Sequence, residues 1–425
     1  MPAYSGKFQY TGSAGETIAQ GPCQLTFDKE KCMVTPAGVA PIAFDLGDVD
    51  SLVPADWDLQ LKLYTGKTIA LRQFGPAFSR MTEELTAAWR NRTVECLLLE
   101  DLEEAGRFNG GVTLPGSSAP TPAEIRIFKS NIAVLPVSGA ATQWRLADFD
   151  SLSFDASTYS INAVCDGRSI VFSKLAKKTD EFTSVLEGAF AAIREKTAEA
   201  LHNAFPFLDP DRLQQLLTVM PEGRSASVAE FGRIHPKLQE ALIARAVSPG
   251  LKPYFEALRS RASGGSMMTG FKFIRADEES EPDAEADAEE AASEDTASSG
   301  QQTASTDETP LFFWFFFPLG KIVAWEAATG SGRATYFFRL PPDVSRSGGL
   351  ESHVAALTRG LALVNFRREP VYLPDDSLEM QPRFHRYAIA ARKLPELRTL
   401  RSAFAGRAIH SSLEKWSAQV DAAVR

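Results

Sequence analysis

The residues best suited to chemistry in this sequence are aspartates that occur twice. Residues 47–52 and 147–152 share one pattern, small–Asp–apolar–Asp–Ser–Leu. Several carboxylates close together offer the oxygen ligands that a divalent cation prefers. Asp and Ser also hydrogen-bond the local backbone where strands meet, so turn and cap chemistry explains the same pattern. We expect this second role, and no bound metal or cofactor. The acids concerned are Asp45, Asp48, Asp50, Asp148 and Asp150.

The remaining residue types that do chemistry do not form a catalytic signature. The five histidines and four cysteines make none of the close pairs that zinc sites use. The sequence contains neither a Gly-x-Ser-x-Gly elbow nor a Gly-x-x-x-x-Gly-Lys phosphate loop. We therefore predict buried, reduced cysteines and a protein that is not an enzyme. An enzyme whose site is assembled only in three dimensions is one alternative.

Each aspartate pair precedes the same pattern of elements. Residues 58–64 and 67–74 alternate polar and apolar side chains around Thr65-Gly66, which predicts a β-hairpin with one buried face. An apolar stripe with helical spacing follows it. The second copy repeats this order, with strands predicted on either side of Asp166-Gly167 and then another stripe. The two stripes are Phe78, Met81, Leu85 and Trp89, and Phe182, Val185, Leu186, Phe190 and Ile193.

Short strands are also predicted upstream of the first hairpin, at residues 7–11, 23–27, 32–35 and 42–46, each bounded by turn residues. About seven short strands closed by one helix resemble the pleckstrin-homology-like (PH-like) superfold. The resemblance covers residues 5–92 and 121–200 and rests on the order of elements. It implies a binding module, a lipid binder or a scaffold, because this superfold carries all three functions.

Lipid headgroup binding is one function that the resemblance implies. In that family, basic residues on the first strands and their connecting loop hold the phosphates. The corresponding residues 7–34 contain only three lysines, at positions 7, 29 and 31, with Asp28 and Glu30 interleaved. We therefore do not expect a lipid headgroup to bind.

The remaining segments complete an α+β protein. Residues 1–105 and 123–200 are predicted to form the two units that resemble PH-like domains, as antiparallel sheets each closed by a C-terminal helix, and the Gly- and Pro-rich residues 106–122 are predicted to link them. Residues 201–263 are predicted as a helical segment. Residues 264–275 and 311–425 form a third strand–helix unit, whose last part, residues 382–425, is predicted helical. In this third unit, residues 271–274 and 311–317 are predicted as neighbouring strands, with an insertion between them.

That insertion, residues 276–310, carries thirteen acidic and no basic residues, and its composition predicts disorder. The whole chain of 425 residues has a net charge of −9. Without the insertion, the chain has 41 acidic and 45 basic residues, so its remaining part is mildly basic. Basic residues are concentrated in two segments, residues 211–275 and 382–425. In the first segment, a turn at residues 221–223 permits a helix–turn–helix. The candidate binding residues are Arg212, Arg224, Arg233, Lys237, Arg383, Arg386, Arg392 and Lys393.

These features favour a scaffold or protein-interaction protein with a protein partner. The alternative is a nucleic-acid-associated factor, in which the basic helices meet phosphates and the acidic insertion competes for them. Tandem PH-like units with an acidic tract also resemble some histone chaperones. The longest apolar run, residues 311–317, is far shorter than the ~20 residues that span a bilayer. The aromatic residues in this run predict a strand covered on both faces. Because no apolar signal segment begins the sequence, we expect a soluble cytoplasmic protein.

Overall fold

A computed structural model describes most of the chain as two compact units. The first unit contains residues 1–193 and Asp375–Pro395, and the second contains Arg194–Pro374 and Glu396–Arg425. The acidic insertion predicted to be disordered lies outside the described residues. The described residues are 3–38, 40–99, 101–137, 139–263, 266–273, 311–328, 334–342 and 349–425.

The first unit begins with a seven-stranded antiparallel sheet, which we call the first repeat together with the helix that follows it. The strand order is β4-β3-β2-β1-β7-β6-β5. The predicted hairpin is confirmed, since β6 and β7 pair antiparallel and β6 buries every second residue. The strands are β1 (Ala3–Thr11), β2 (Thr17–Phe27), β3 (Lys31–Pro36), β4 (Ile42–Asp45), β5 (Val49–Ala55), β6 (Asp58–Leu63) and β7 (Thr68–Arg72).

Helix α1 (Phe78–Cys96) closes this sheet, and the predicted apolar stripe is confirmed. Met81, Leu85 and Trp89 are buried in one core with leucines of the strands. The Trp89 indole also donates a hydrogen bond to the Val49 carbonyl at 3.0 Å, where β5 begins. The helix is therefore held by apolar burial along its length and by a polar anchor near its end.

A second repeat has the same topology, with strand order β11-β10-β9-β8-β14-β13-β12. Helix α2 (Thr179–Ala204) follows its last strand and buries Phe182 and Leu186 in the core of the sheet. The strands are β8 (Glu104–Thr113), β9 (Thr121–Phe128), β10 (Asn131–Pro136), β11 (Thr142–Arg145), β12 (Phe149–Asp155), β13 (Ser160–Cys165) and β14 (Arg168–Ser173).

The link predicted at residues 106–122 is shorter than expected, because strand β8 occupies its first part. Gly110 and Gly111, which suggested a linker, lie inside this strand. A Cβ at Gly110 would come within 2.9 Å of the Leu175 side chain and of the Ser173 carbonyl oxygen. The glycine permits a close backbone approach, a role that composition alone does not distinguish from flexibility. The second repeat therefore begins near residue 104.

The second unit is built on a six-stranded antiparallel sheet in the order β15-β16-β17-β18-β19-β20. The prediction that residues 271–274 and 311–317 are neighbours is confirmed, because β16 pairs with β17 on either side of the acidic insertion. The strands are β15 (Ser225–Ser227), β16 (Met268–Phe273), β17 (Leu311–Leu319), β18 (Ile322–Ala327), β19 (Ala334–Arg339) and β20 (Phe404–Ile409).

Helices accompany both units. Those in the second unit are α3 (Pro210–Val219), α4 (Val228–Ile234), α5 (Leu238–Ala246), α6 (Lys252–Arg261), α7 (Gly349–Leu363), α8 (Glu369–Tyr372), α11 (Pro395–Ala403) and α12 (Leu413–Val424). Helices α9 (Asp375–Met380) and α10 (His385–Lys393) belong to the first unit. No helix of the described ranges is long and apolar enough to cross a membrane.

The aromatic strand β17 is covered on both faces, as its composition predicts. Phe313, Phe315 and Phe317 lie in a core shared with the helices of residues 201–263. On the other face, Trp314 packs against Phe366 with ring centroids 4.3 Å apart. Fully buried aromatic side chains on both faces make this strand the centre of the unit.

Three features of this part of the chain differ from what the sequence suggested. Residues 201–263 are not a separate helical segment, because they share the core of the sheet and supply its edge strand β15. The turn expected in a helix–turn–helix instead joins the sheet, since the Gly223 amide donates to the Phe271 carbonyl at 2.8 Å. Residues 404–409, predicted as helix, form β20 because pairing with β19 satisfies their backbone groups.

Candidate functional site

The repeated aspartates of the first repeat lie on a short 3₁₀ helix, Leu46–Asp48, and at the start of β5. Asp45 caps this turn, and its Oδ1 accepts a hydrogen bond from the Gly47 amide at 2.7 Å. Cap chemistry, which the sequence favoured, is therefore the role of Asp45. Asp48 and Asp50 extend from the same turn and make different contacts.

Arg92 of α1 compensates the buried charge of Asp45. Its Nε and Nη2 donate to the two carboxylate oxygens at 2.9 and 2.8 Å, and its Nη1 donates to Glu95 at 3.0 Å. The bonds to Asp45 raise the pKa of Arg92 above its usual range. His385 of α10 lies beside the same carboxylate, with Nε2 at 3.7 Å from Oδ2. A buried bidentate pair of this kind fixes the end of α1 on the turn.

Helix α10 places two cations on the other two aspartates. Arg392 donates to Asp48 and to Glu379, and its guanidinium lies over the Tyr64 ring at 4.1 Å. Lys393 donates to the Val49 carbonyl at 3.1 Å, and its Nζ is 3.6 Å from Asp50 Oδ1. Asp48 and Asp50 therefore hold a helix that is more than three hundred residues away in the sequence.

The Asp48 carboxylate and the Lys393 ammonium group both lose solvation at this contact. Burial raises the pKa of the Asp48 carboxyl, although the Arg392 guanidinium acts in the opposite direction. Burial likewise lowers the pKa of Lys393, although Asp50 opposes the change. The charged forms of Asp48 and Lys393 are therefore less favourable here than in water.

A glycine allows α10 to approach closely. A Cβ at Gly47 would come within 2.9 Å of the Ile389 Cδ1 atom and of the Cys96 Sγ atom. The second repeat has Ala147 at this position and Arg145 where the first has Asp45. The glycine at position 47 and the aspartate at position 45 thus distinguish the first repeat from the second. We call the group formed by Asp45, Gly47, Asp48, Asp50 and Arg92 the helix-docking site.

The docking contacts also give the aspartates a role other than metal binding. Asp48 and Asp50 face Arg392 and Lys393, which supply the positive charge that a cation would otherwise supply. Within the described ranges, no group of three or more His, Cys, Asp or Glu residues is arranged to hold a metal ion. The sequence did not reveal this role, and the pair of adjacent basic residues 392–393 was its one visible signal.

The eight predicted basic residues are divided equally between the two units. Four belong to each unit, and Arg392 and Lys393 are taken up by the docking contact. In the second unit, Arg233 and Lys237 are exposed and Arg224 is half-buried, whereas the exposed Arg212 lies 3.5 Å from Asp209. In the first unit, Arg383 and Arg386 are exposed and lie over aromatic rings.

The β5–β6 hairpin and its counterpart in the second repeat each carry an exposed aromatic residue. Trp57 is 65% exposed and Tyr159 is 67% exposed. Both have positive φ values, 61° and 49°, which bulky residues rarely adopt. Val53 on β5 and Phe154 on β12 are also exposed, and the Phe154 ring centroid lies 6.4 Å from that of Tyr159. We call these two places the hairpin tips; backbone strain retained in both copies marks them as candidate contact points.

In the second repeat, Asp155 holds the hairpin tip in shape. Its carboxylate accepts from the Ser157 amide and hydroxyl and from the Thr158 hydroxyl, which lowers its pKa to about 2. Since the folded pKa is depressed, this contribution to stability is present above the unfolded pKa and is lost as the pH falls through about 2. We expect Ser157→Ala with Thr158→Val to raise the carboxyl midpoint towards its ordinary value. NMR titration measures it, and an unchanged midpoint would contradict this assignment.

The second unit contains a buried polar cluster of Glu326, Thr335, His410 and Trp416. Glu326 and Thr335 are fully buried, and the Thr335 hydroxyl donates to Glu326 Oε2 at 2.6 Å. His410 Nε2 lies 3.3 Å from the same oxygen. The Trp416 indole donates to Thr335 at 2.9 Å. These contacts join β18, β19, α12 and the residue that follows β20.

Comparisons of the sequence with family models and with curated proteins give no relative from which a role could be transferred. No protein-family model matches the sequence, and no curated protein matches it. The functional argument therefore depends on the helix-docking site and the hairpin tips.

Proposed function

We propose that the protein is a non-enzymatic interaction scaffold built on two tandem PH-like units. The strand order is the same in both sheets, and in each repeat a helix follows the seventh strand. This arrangement supports the PH-like assignment of residues 5–92 and 121–200. Scaffolds on this superfold act by binding other chains rather than by chemistry.

The observation that carries the proposal is the docking of α10. The first repeat holds this helix through Asp45, Asp48 and Asp50, so a PH-like unit here already works as a platform for a helix. An ion pair between Arg90 of the first repeat and Glu124 of the second, at 2.8 Å, connects the two repeats. The two repeats of the first unit therefore present their surfaces in a fixed arrangement.

The hairpin tips are the surfaces that we expect an external protein to contact. Exposed tryptophan and tyrosine side chains supply much of the binding energy in protein interfaces, because they bury a large area with few rotatable bonds. Trp57 and Tyr159 occupy equivalent places in the two repeats. Duplication of an exposed aromatic residue supports a role in contact rather than in the core.

The test uses the full chain, tagged in its source cells, with cross-linking and mass spectrometry. We expect one protein in stoichiometric amount, cross-linked near the tips. Changing Trp57→Ala and Tyr159→Ala together should lower its recovery about tenfold or more. Met380→Ala removes a side chain that is 83% exposed and serves as the matched control. Recovery without a stoichiometric protein, or recovery unaffected by the tip changes, contradicts the proposal.

Nucleic acid is the second candidate partner, favoured by the exposure of Arg233 in the last turn of α4 and of Lys237 just before α5. Such binding is electrostatic and weakens strongly between about 50 and 200 mM salt. The same preparations, titrated with a generic duplex and a generic single strand at both salts, distinguish the candidates. Tight salt-sensitive binding that Arg233→Ser and Lys237→Ser remove would replace the protein-scaffold proposal.

A further inference from the structure

The two hairpin tips share a charge pattern as well as an exposed aromatic residue. Residues 49–61 contain three aspartates, at positions 50, 56 and 58, and no Lys or Arg. Residues 149–165 contain two aspartates, at positions 150 and 155, and likewise no Lys or Arg. The loops between the paired strands differ in length, since β5 and β6 are two residues apart and β12 and β13 are four apart. Both hairpins are therefore acidic although their loops differ.

The tip of the first repeat presents a carboxylate beside an aromatic ring. The Trp57 ring rests against the buried Phe78, with ring centroids 5.7 Å apart, while most of the indole faces solvent. Asp56 precedes Trp57 and is exposed. Asp58 follows it and accepts a hydrogen bond from Arg72 Nε at 3.0 Å. Asp56 is thus the carboxylate that this tip offers to a partner.

The tip of the second repeat has the same two components. The Tyr159 ring meets Phe154 edge to face, with an angle of 74° between the ring planes. Asp155 ends β12 and is held by the amide and hydroxyl groups of Ser157 and Thr158, which are neutral donors. These donors lower its pKa to about 2, so the carboxylate is ionised at neutral pH. The tip therefore carries a negative charge next to its exposed ring.

A positively charged side chain suits both tips. The face of an aromatic ring attracts a Lys or Arg side chain placed over it, and tryptophan does so most strongly. A neighbouring carboxylate adds to this attraction and repels an acidic partner. A purely apolar partner would instead remove water from Asp56 and Asp155 without replacing the lost hydrogen bonds. The tips thus favour cations over acidic and purely apolar surfaces.

We propose that each hairpin tip holds a Lys or Arg side chain of a partner protein, with the cation over the ring of Trp57 or Tyr159 and close to the carboxylate of Asp56 or Asp155. The partner surface is accordingly a basic segment of a protein. This inference rests on the proposed scaffold function and names the chemistry of the partner that the tips contact.

The test uses the full chain labelled with fluorotryptophan and followed by fluorine NMR. The Trp57 signal is assigned by its loss in Trp57→Phe. One probe is a peptide of repeated Gly-Arg-Ser units, and the matched control peptide carries neutral citrulline in place of each arginine. We expect the arginine peptide to shift the Trp57 signal saturably and the citrulline peptide to leave it in place. Because this signal reports on residue 57, peptide bound to the acidic insertion does not imitate the result.

A charge-removing substitution tests the role of the carboxylate in the first repeat. Asp56→Asn keeps the ring and removes the charge, so we expect the arginine peptide to bind this tip about threefold more weakly or worse. Glu83→Gln removes one exposed charge from α1 and is the matched control, with unchanged binding expected. The other tryptophan signals identify a variant that has failed to fold.

The second tip is tested in the same way with fluorotyrosine, its Tyr159 signal being assigned by its loss in Tyr159→Phe. Asp155→Asn retains an oxygen that accepts from Ser157 and should weaken binding of the arginine peptide by a similar factor. Glu187→Gln, at an exposed position of α2, is the control.

Three outcomes would overturn this proposal. In the first, the arginine peptide moves neither tip signal; in the second, both peptides move the signals equally. In the third, the aspartate variants bind the arginine peptide no more weakly than the glutamate controls. Each of them removes the preference for a cation and leaves the scaffold proposal intact, because that proposal is tested by recovery of a partner protein from cells. Absence of a stoichiometric partner in that recovery would contradict the scaffold proposal alone.

Discussion

Replacing Arg92 by Leu is expected to destabilise the first unit by about 3–5 kcal/mol, the cost of leaving a buried charge without its partner. Asp45 and Arg92 are each 8% exposed, and the guanidinium bonds both carboxylate oxygens. Without Arg92 the carboxylate keeps the Gly47 amide and lies near His385, but loses its bidentate partner. Hydrogen exchange of the α1 amides in full-length protein measures the loss.

The matched control for Arg92 is Arg80→Leu on the same helix. Arg80 pairs with Glu84 at 2.8 Å in an exposed i,i+4 geometry, so we expect no measurable change. Adding Asp45→Asn to Arg92→Leu should recover part of the stability, because the two residues act as one pair. If the α1 amides were equally protected from hydrogen exchange in the Arg80 and Arg92 variants, the buried Asp45–Arg92 pair would not support the helix.

Replacing Trp416 by Ala is expected to destabilise the second unit by about 3–5 kcal/mol, as large-to-small changes in a core do. The side chain is fully buried in the core that includes Phe255 and Phe315. Its indole also holds the Thr335 hydroxyl, which in turn bonds the buried Glu326. The change therefore leaves both a cavity and an unsatisfied polar cluster. Hydrogen exchange of the β19 and β20 amides measures the effect.

Two further substitutions separate the causes of this loss. Trp416→Phe keeps most of the apolar volume and removes the indole donor, so it should cost about 1–3 kcal/mol. Leu413→Ala, on the same helix, removes a side chain that is 45% exposed and should leave β20 protected as in the wild type. If Trp416→Ala and Leu413→Ala gave the same protection, the cluster would not anchor α12.

Much of the local structure of the repeats could be predicted from the sequence. Alternation in residues 58–63 and the stripe from Phe78 to Trp89 identified β6, β7 and α1, because burial of one face imposes a period on each element. Aromatic residues on both faces of residues 311–317 likewise predicted a strand covered on both sides. These signals depend only on which side chains are buried when the chain folds.

Boundaries that depend on non-local pairing were predicted less well. Gly110 and Gly111 have the composition of a linker, yet strand pairing places them in β8. Residues 404–409 continue a helical stripe in the sequence, yet β19 provides backbone partners that make them a strand. Propensity is a weak prior when a distant strand supplies the hydrogen bonds.

The sequence by itself determined that the chain contains two copies of one folding unit, that Asp48 and Asp50 belong to a repeated motif, and that basic residues recur near the C-terminus. Only the tertiary structure decided that these features meet, with α10 on the aspartates of the first repeat. A repeat is visible in the sequence because both copies bury side chains with the same period. An ion pair between residues more than three hundred positions apart leaves no period, since it depends on how distant elements pack.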